Sequence, residues 1–344
     1  RMHRDVNHLD QPMLALDRSS LPSLPEIVGR VLRYPAVADK TFLITIADRT
    51  VTGLVARDQM VGPYQTPISD VAVTAASFRS FQGSAMAMGE RAPLALLDAP
   101  ASGRMAIAEA ITNIAAASIG TIEKIKLSAN WMCACGEEGE DAILFDTVEA
   151  VSMEFCPELG VSIPVGKDSL SMRTLWKDDN GDTKSVVAPL SLVISAFAPV
   201  KDIRATVTAD MKSEVDSQLL LIDLGLGCNR LGGSCLAQVF NQIGDTCPDI
   251  AATDVRRFFF AIQKLISEDL LLAYHDRSDG GLFVTIAEMA FGGRTGIDLD
   301  LDNLGDDQLA ILFSEEIGSV IQVLNADNER VRNVLAEYGL NDCT

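Results

Sequence analysis

The run Tyr274-His275-Asp276-Arg277-Ser278-Asp279-Gly280-Gly281 places carboxylates, an imidazole, a hydroxyl and two adjacent glycines side by side. The apolar run Leu270-Leu271-Leu272-Ala273 before it reads as a buried strand, and Leu282 to Phe291 after it carries the apolar face of a helix. At such a strand-to-helix junction, Asp276 offers hard oxygens suited to a cation such as Mg²⁺. Ser278 and the amides of Gly280 and Gly281 suit a phosphate. The plainer alternative is an Asp/Ser helix cap followed by a glycine turn, and the run by itself leaves both open.

Other segments add candidates. Asp70 ends a Pro-containing loop, Val61 to Ile68, and leads into the strand-like Val71-Ala72-Val73-Thr74. Glu109 and Asn113 stand four apart in an otherwise small and apolar helix from Gly103 to Ala117, so they share a face. That face is either a polar site or a solvated stripe with an intrahelical hydrogen bond. Lys167, read as lying on a loop, could meet phosphate or pair with Asp168. His275 is a candidate general base, or a hydrogen-bonded histidine that orients a metal ligand. The glycines of Gly225-Leu226-Gly227 and Leu231-Gly232-Gly233-Ser234 either cradle a phosphate or cap a helix.

The elements that must position these residues follow from patterning. Strands are expected at Phe42 to Ala47, Val71 to Ala76, Ser84 to Met88, Ile125 to Trp131 and Val186 to Phe197. Later strands are expected at Gln218 to Leu224, Ile297 to Leu301 and Ile317 to Val323. Helices are expected at Leu24 to Leu32, Gly103 to Ala117, Asp141 to Glu158, Val255 to Glu268, Leu282 to Phe291 and Ala326 to Tyr338. Lys177 to Asp182 reads as a hairpin tip, and Asp342-Cys343-Thr344 as a turn before a further strand. Strands and helices mix without strict βαβ alternation, so the fold class is α+β with two domains. The division is 1–40 as connector and short helix, 41–200 as the first domain, 201–217 as the connection and 218–344 as the second.

The 344-residue chain is 48% hydrophobic but only 6% aromatic, so its cores must be built from Ala, Leu, Ile and Val. A formal net charge of −20 argues against a nucleic-acid or anionic-membrane partner, though not against a nucleotide held through Mg²⁺. The odd count of 7 cysteines without a compact framework fits a reducing, cytoplasmic setting, and Cys133-Ala134-Cys135 lacks the spacer of a zinc pair. Neither a signal peptide nor an apolar stretch of about 18 residues is visible.

Four runs resemble the phosphoribosylformylglycinamidine synthase family of large bacterial purine-biosynthesis enzymes. They are Val55-Ala56-Arg57-Asp58-Gln59-Met60-Val61-Gly62-Pro63, Gly89-Glu90-Arg91-Ala92-Pro93, Ile163-Pro164-Val165-Gly166-Lys167-Asp168-Ser169 and Tyr274 to Gly281. The resemblance spans essentially the whole chain, which is similar to the second half of the family's synthetase region. It implies an α+β domain whose sheet pairs with that of a sister half in a barrel-like interface, followed by a C-terminal α+β domain. It implies a carbon–nitrogen ligase using ATP and glutamine as amido donor to convert formylglycinamide ribonucleotide to the amidine. The partners would be the sister half and a glutaminase domain of the parent chain, leaving this piece alone inactive and prone to self-dimerise. By resemblance, Asp70, Glu109, Asn113 and Asp276 match magnesium ligands and Ser278 a nucleotide contact, with ATP or ADP as cofactor. The same ligands would equally serve a non-catalytic half holding ADP and Mg²⁺ structurally. They would also serve a stand-alone homodimeric kinase or synthetase of the wider aminoimidazole ribonucleotide synthetase-like superfamily.

Overall fold

The computed structural model describes residues 13–46, 49 and 53–343. Short strands open the first half: β1 (Val55–Arg57), β2 (Ala72–Ala75) and β3 (Gly83–Glu90). They are followed by β4 (Lys126–Met132), β5 (Ser162–Ser169), the hairpin of β6 (Arg173–Lys177) and β7 (Thr183–Val187), and β8 (Ser191–Val200). Six of these form one sheet in the order β1-β2-β3-β8-β4-β5, antiparallel except for the β4–β5 pair. In the second half, β9 (Ser217–Asp223), β10 (Ala273–Asp276) and β11 (Gly318–Leu324) form an antiparallel sheet in the order β10-β11-β9.

The helices before the second sheet are α1 (Leu24–Val31), α2 (Thr41–Ile46), α3 (Ala99–Ala115), α4 (Glu140–Glu149) and α5 (Cys156–Leu159). Those after it begins are α6 (Cys235–Val239), α7 (Ala252–Ser267), α8 (Gly281–Gly293), α9 (Gln308–Phe313) and α10 (Asn328–Glu337). The α3 helix covers one face of the large sheet. Ala85, Ala87 and Ala196 on the strands beneath it are buried, as are its own Ala106, Ala108 and Ala110. Small residues on both sides let the layers close tightly. At Gly89 a Cβ would lie 2.2 Å from the Ala106 carbonyl oxygen, so only glycine fits there.

The same helix is stapled to the second half. Gln263 on α7 donates Nε2 to the carbonyls of Ala115 (2.8 Å) and Ala117 (3.0 Å). Its Oε1 accepts from the amides of Ile119 (2.8 Å) and Gly120 (2.7 Å). The Tyr274 hydroxyl donates to the Thr112 carbonyl at 2.7 Å, which fixes β10 against α3. One core runs through both halves, from Val73 and Ile111 to Phe258 and Ile321.

Several expected elements differ. Phe42 to Ile46 is the helix α2 rather than a strand, because the Asp39 carboxylate accepts from the Thr41 amide (3.0 Å) and starts a turn that has no sheet neighbour among the described residues. Ala47, the end of that expected strand, lies outside the described residues. Ile297 to Leu301 forms no strand: Asp300 accepts from the Asp302 amide (3.1 Å) and a 3₁₀ turn follows. Val186 to Phe197 is split into β7 and β8, with Pro189 between them. The single helix expected from Asp141 to Glu158 contains a π-helical turn, Ala150–Phe155. Pro157 removes the amide that would bond back to Met153, and the turn ahead of it widens. The α3 helix begins at Ala99 rather than Gly103, since Asp98 caps it (2.8 Å to the Ala101 amide) and Pro100 suits the first turn. Leu270 to Leu272 is irregular chain rather than strand, although the Leu272 amide already donates to the Gln322 carbonyl (2.8 Å); β10 begins at Ala273 and carries His275 and Asp276 within it. Lys167 lies on β5, not on a loop, and Asn341–Cys343 is a 3₁₀ turn.

Gln263→Leu should destabilise the fold by roughly 3 kcal/mol or more, because two amides and two carbonyls lose their buried partner. Urea unfolding of both chains measures this; a change under about 1 kcal/mol would show that water replaces the side chain.

Candidate functional site

Asp70, two residues ahead of β2, meets the end of β10. One ligand atom from each of Asp70, His275 and Asp276 falls within 4.8 Å of the other two. His275 Nδ1 lies 2.7 Å from Asp70 Oδ1, and its Nε2 lies 2.9 Å from Glu288 Oε2 on α8. The imidazole is therefore clamped between two carboxylates. Burial works against its charged form, but Asp70 and Glu288 hold its pKa well above the ordinary value. The Thr285 hydroxyl donates to the Asp276 carbonyl (3.1 Å) and ties the strand end to α8.

Asp70 Oδ2 and Asp276 Oδ2 are buried and accept no hydrogen bond. Buried carboxylate oxygens without partners cost several kcal/mol each by desolvation, and here two from separate segments converge. Burial first, then the neighbouring Asp70, push the Asp276 carboxyl well above the usual range, with His275 opposing. A hard divalent cation between the two carboxylates would offer such oxygens a partner, so the residues present fit Mg²⁺.

Glu109 stands outside that group of three. Its Oε2 accepts from the Glu90 amide (2.7 Å), and its Oε1 lies 3.1 Å from Arg91 Nη2. Asn113, one turn further along α3, donates Nδ2 to the Met88 carbonyl (3.0 Å), which leaves Oδ1 as its remaining polar atom. Both side chains face β3, so the shared face expected from the spacing exists. Burial pushes the Glu109 carboxyl up to about 7, with Arg91 opposing.

Arg91, 2% exposed, is the counter-charge of this region. Besides Glu109 it reaches Asp279 Oδ1 (3.2 Å) and Glu315 Oε2 (3.5 Å). Burial alone would weaken its charge, but these carboxylates outweigh that and keep it protonated. Burial and then Asp279 push Glu315 up to about 7, against Arg91. Glu315 Oε1 accepts from the amides of Gly280 and Cys235, both at 2.8 Å.

The glycine turn is thus already engaged. The Gly280 amide goes to Glu315 and the Gly281 amide to the Ser278 carbonyl (2.9 Å). Both glycines have positive φ, and a Cβ at Gly281 would lie 2.6 Å from the Ser314 carbonyl oxygen. They shape the junction around the half-buried Ser278. The amides of Gly232 and Gly233 likewise bond to the carbonyls of Thr246 (2.8 Å) and Ile243 (2.7 Å), while Ser234 caps α6. Lys167 is exposed on β5 with Nζ 3.0 Å from Ser169 Oγ. Cys133 is buried in a small apolar cluster, and its thiol donates to the Glu140 carbonyl at 3.5 Å.

Sequence reasoning missed Arg91, Glu288 and Glu315. Glu288 had a signal, being an acid within the apolar stretch Leu282 to Phe291. Arg91 and Glu315 had none beyond their charge, since only folding shows that they are buried together.

A family model described as the FGAR-AT PurM_N-like domain matches residues 39–199, and one described as the AIR synthase related protein, C-terminal domain, matches residues 216–344. Among solved structures the chain is similar to T. maritima PurL complexed with FGAR, at 11% identity and a TM-score of 0.65, over 92% of this chain and 48% of that one. It is similar to T. maritima PurL complexed with AMPPCP at 11% identity and a TM-score of 0.60, over 92% of this chain and 45% of that one. A chain of the HypE–HypF complex matches at 14% identity and a TM-score of 0.51, over 80% of this chain and 84% of that one. At such identities the likeness is one of fold, and this chain spans about half the length of the PurL chains.

A carboxyl with a raised folded pKa gives stability that is present below its unfolded pKa and lost as pH rises through the folded one. Glu109 and Glu315 both move from 4.5 to about 7. In EDTA, the thermal midpoint should therefore fall as pH rises between 4.5 and 7, and added Mg²⁺ should remove much of that fall at pH 7. A midpoint in EDTA that is flat or rising across the window would contradict this electrostatic picture.

Proposed function

From a chain that belongs to the AIR synthase related superfamily, with an FGAR-AT PurM_N-like domain ahead of an AIR synthase related C-terminal domain, we infer one half of a synthetase region that holds a Mg²⁺–nucleotide. The activity proposed for the parent enzyme is glutamine-dependent conversion of formylglycinamide ribonucleotide to its amidine. The domain division at 201–217 belongs to the same reading. The observation that carries it is the pair of buried, unpartnered oxygens of Asp70 and Asp276, brought together from separate halves of the chain.

Bound there, Mg²⁺ would supply charge neutralisation for phosphate oxygens. Asp70 and Asp276 would hold it; Glu109 and Asn113, the further ligands implied by resemblance, lie on the neighbouring α3 face outside that group, with Glu109 engaged by the Glu90 amide and Arg91. His275, fixed between Asp70 and Glu288, orients Asp70 rather than acting on substrate. Arg91 keeps Glu109, Asp279 and Glu315 from repelling one another apart. Ser278 offers its hydroxyl at the junction, and Gly280 and Gly281 give the turn its shape. Phosphoryl transfer depends on such placement more than on covalent protein chemistry.

Isothermal titration of ADP with Mg²⁺ tests this. Asp276→Ala should weaken binding by at least about 100-fold, and omission of Mg²⁺ should do the same. Equal affinity in all three experiments would overturn the assignment.

Partner pairing is also part of the proposal. The face of the large sheet opposite α3 exposes Met88 (58%), Phe197 (44%) and Val165 (61%), and β5 ends the sheet with one edge unpaired. An apolar face beside an open edge invites a second sheet. The chain by itself should therefore run as a dimer or larger at micromolar concentration in light scattering. A monodisperse monomer would count against a sister half seated on this face.

A further inference from the structure

The segment Cys133-Ala134-Cys135 leaves the end of β4 at the foot of the β6–β7 hairpin. The Cys133 amide donates to the Ser169 carbonyl (2.9 Å) and the Cys135 amide to the Leu170 carbonyl (3.1 Å). The Met172 amide donates back to the Cys133 carbonyl (3.3 Å). An extended segment held in this way puts residues two apart on one side. Both cysteines accordingly pack into one small cluster with Ala95, Ala99 and Leu190, and their thiols are hydrogen-bond partners. Neither forms a disulfide. Two residues of extended chain span roughly 6.6 Å between Cα atoms, at the upper end of what a disulfide bridges.

The two thiols are not equivalent. Cys133 is fully buried, and burial pushes its thiol well above the ordinary range. Cys135 is half-buried and lines a cavity of about 270 Å³ with Glu137, Ser171, Arg173 and Leu175. One sulfur is thus reachable, and the other lies behind it. Beside the inner sulfur stands a proton acceptor, since Glu140 Oε2 on the first turn of α4 is 3.7 Å from Cys133 Sγ. Burial raises the Glu140 carboxyl, which makes it a stronger base than an exposed carboxylate.

The surroundings also select by charge. Glu137, Glu138 and Asp141 share the turn with Glu140, and no basic residue stands between Lys126 and Lys167 in the sequence. Arg173, on the cavity wall, is paired with Glu137. Such a rim repels an anionic reagent and admits an uncharged or cationic one.

We propose that Cys133 and Cys135 form a reversible redox site that exchanges with small uncharged or cationic disulfides, Cys135 attacking and Cys133 resolving. Cys135 loses its proton to water, and its sulfur attacks one sulfur of the disulfide RSSR. The S–S bond breaks, and the released RS⁻ takes up a proton and departs as RSH. The Cys133 thiol then passes its proton to Glu140 while its sulfur attacks the Cys135 sulfur. The mixed disulfide breaks, and the second RS⁻ is protonated from Glu140 through solvent. Two protein thiols are oxidised to one disulfide, and RSSR is reduced to two RSH. A bond at the edge of the usual span and open to solvent on one side is readily reduced again by excess thiol.

The test treats the whole chain with 2-hydroxyethyl disulfide, traps remaining thiols with N-ethylmaleimide and maps the cysteines by mass spectrometry. In the unmutated chain, the peptide carrying both cysteines should lose two hydrogens and escape trapping, and dithiothreitol should restore both thiols. Cys133→Ala should stop at a stable mixed disulfide on Cys135, and Cys135→Ala should leave Cys133 unmodified. Glu140→Gln should lengthen the life of the mixed disulfide by about tenfold or more. Glutathione disulfide, an anion, should react more slowly than the uncharged probe. The decisive reading comes from the unmutated chain, so a variant that fails to fold leaves the test intact. A lasting mixed disulfide on Cys135 in the unmutated chain, full trapping of both thiols, or a bond from either to a different cysteine would overturn the proposal.

Discussion

Concentrated negative charge in a buried place is the constraint on which this structure depends. Asp70, Asp276, Glu109, Asp279 and Glu315 come within reach of one buried arginine and one histidine. Bringing carboxylates out of water is costly, and mutual repulsion adds to the cost. Arg91 offsets it on one side by touching three of them, and His275 offsets it on the other by standing between Asp70 and Glu288. What remains uncompensated is the pair of oxygens on Asp70 and Asp276. The site is therefore defined as much by what its own cations leave unsatisfied as by which ligands are present.

Such a site needs a rigid frame, because like charges separate whenever the backbone permits. The α3 helix provides one by lying unusually close to β3, where Gly89 admits the Ala106 carbonyl. Gln263 and Tyr274 then fix the second half to the same helix through buried hydrogen bonds that are fully used. The alanine-rich composition and the position of the carboxylates are linked: small residues allow close layers, and close layers hold the acids in place.

Much of the secondary structure was legible. The strands around Val73, Ala85, Leu127, Leu221 and Val320 and the helices around Ile111, Phe258 and Ile286 follow their apolar periodicity. Two misread strands share a cause. Phe42 to Ile46 and Ile297 to Leu301 have the apolar residues of strands, but aspartates at Asp39 and Asp300 bond to nearby amides and no strand pairs with either among the described residues. A strand is a property of a pair, and one segment cannot declare its partner.

The site divides in the same way. Residue type and spacing by themselves determined that Glu109 and Asn113 share a face and that Asp276 and Ser278 sit at a strand-to-helix junction beside two glycines. These are local facts, set by helix pitch, pleat and backbone sterics. Tertiary structure alone decided that Asp70 meets Asp276, that the Gly280 and Gly281 amides are spent on Glu315 and Ser278, and that Arg91 is the shared counter-charge. The physical reason is that charge pairing and desolvation depend on distances between segments far apart in the chain, which no local spacing encodes.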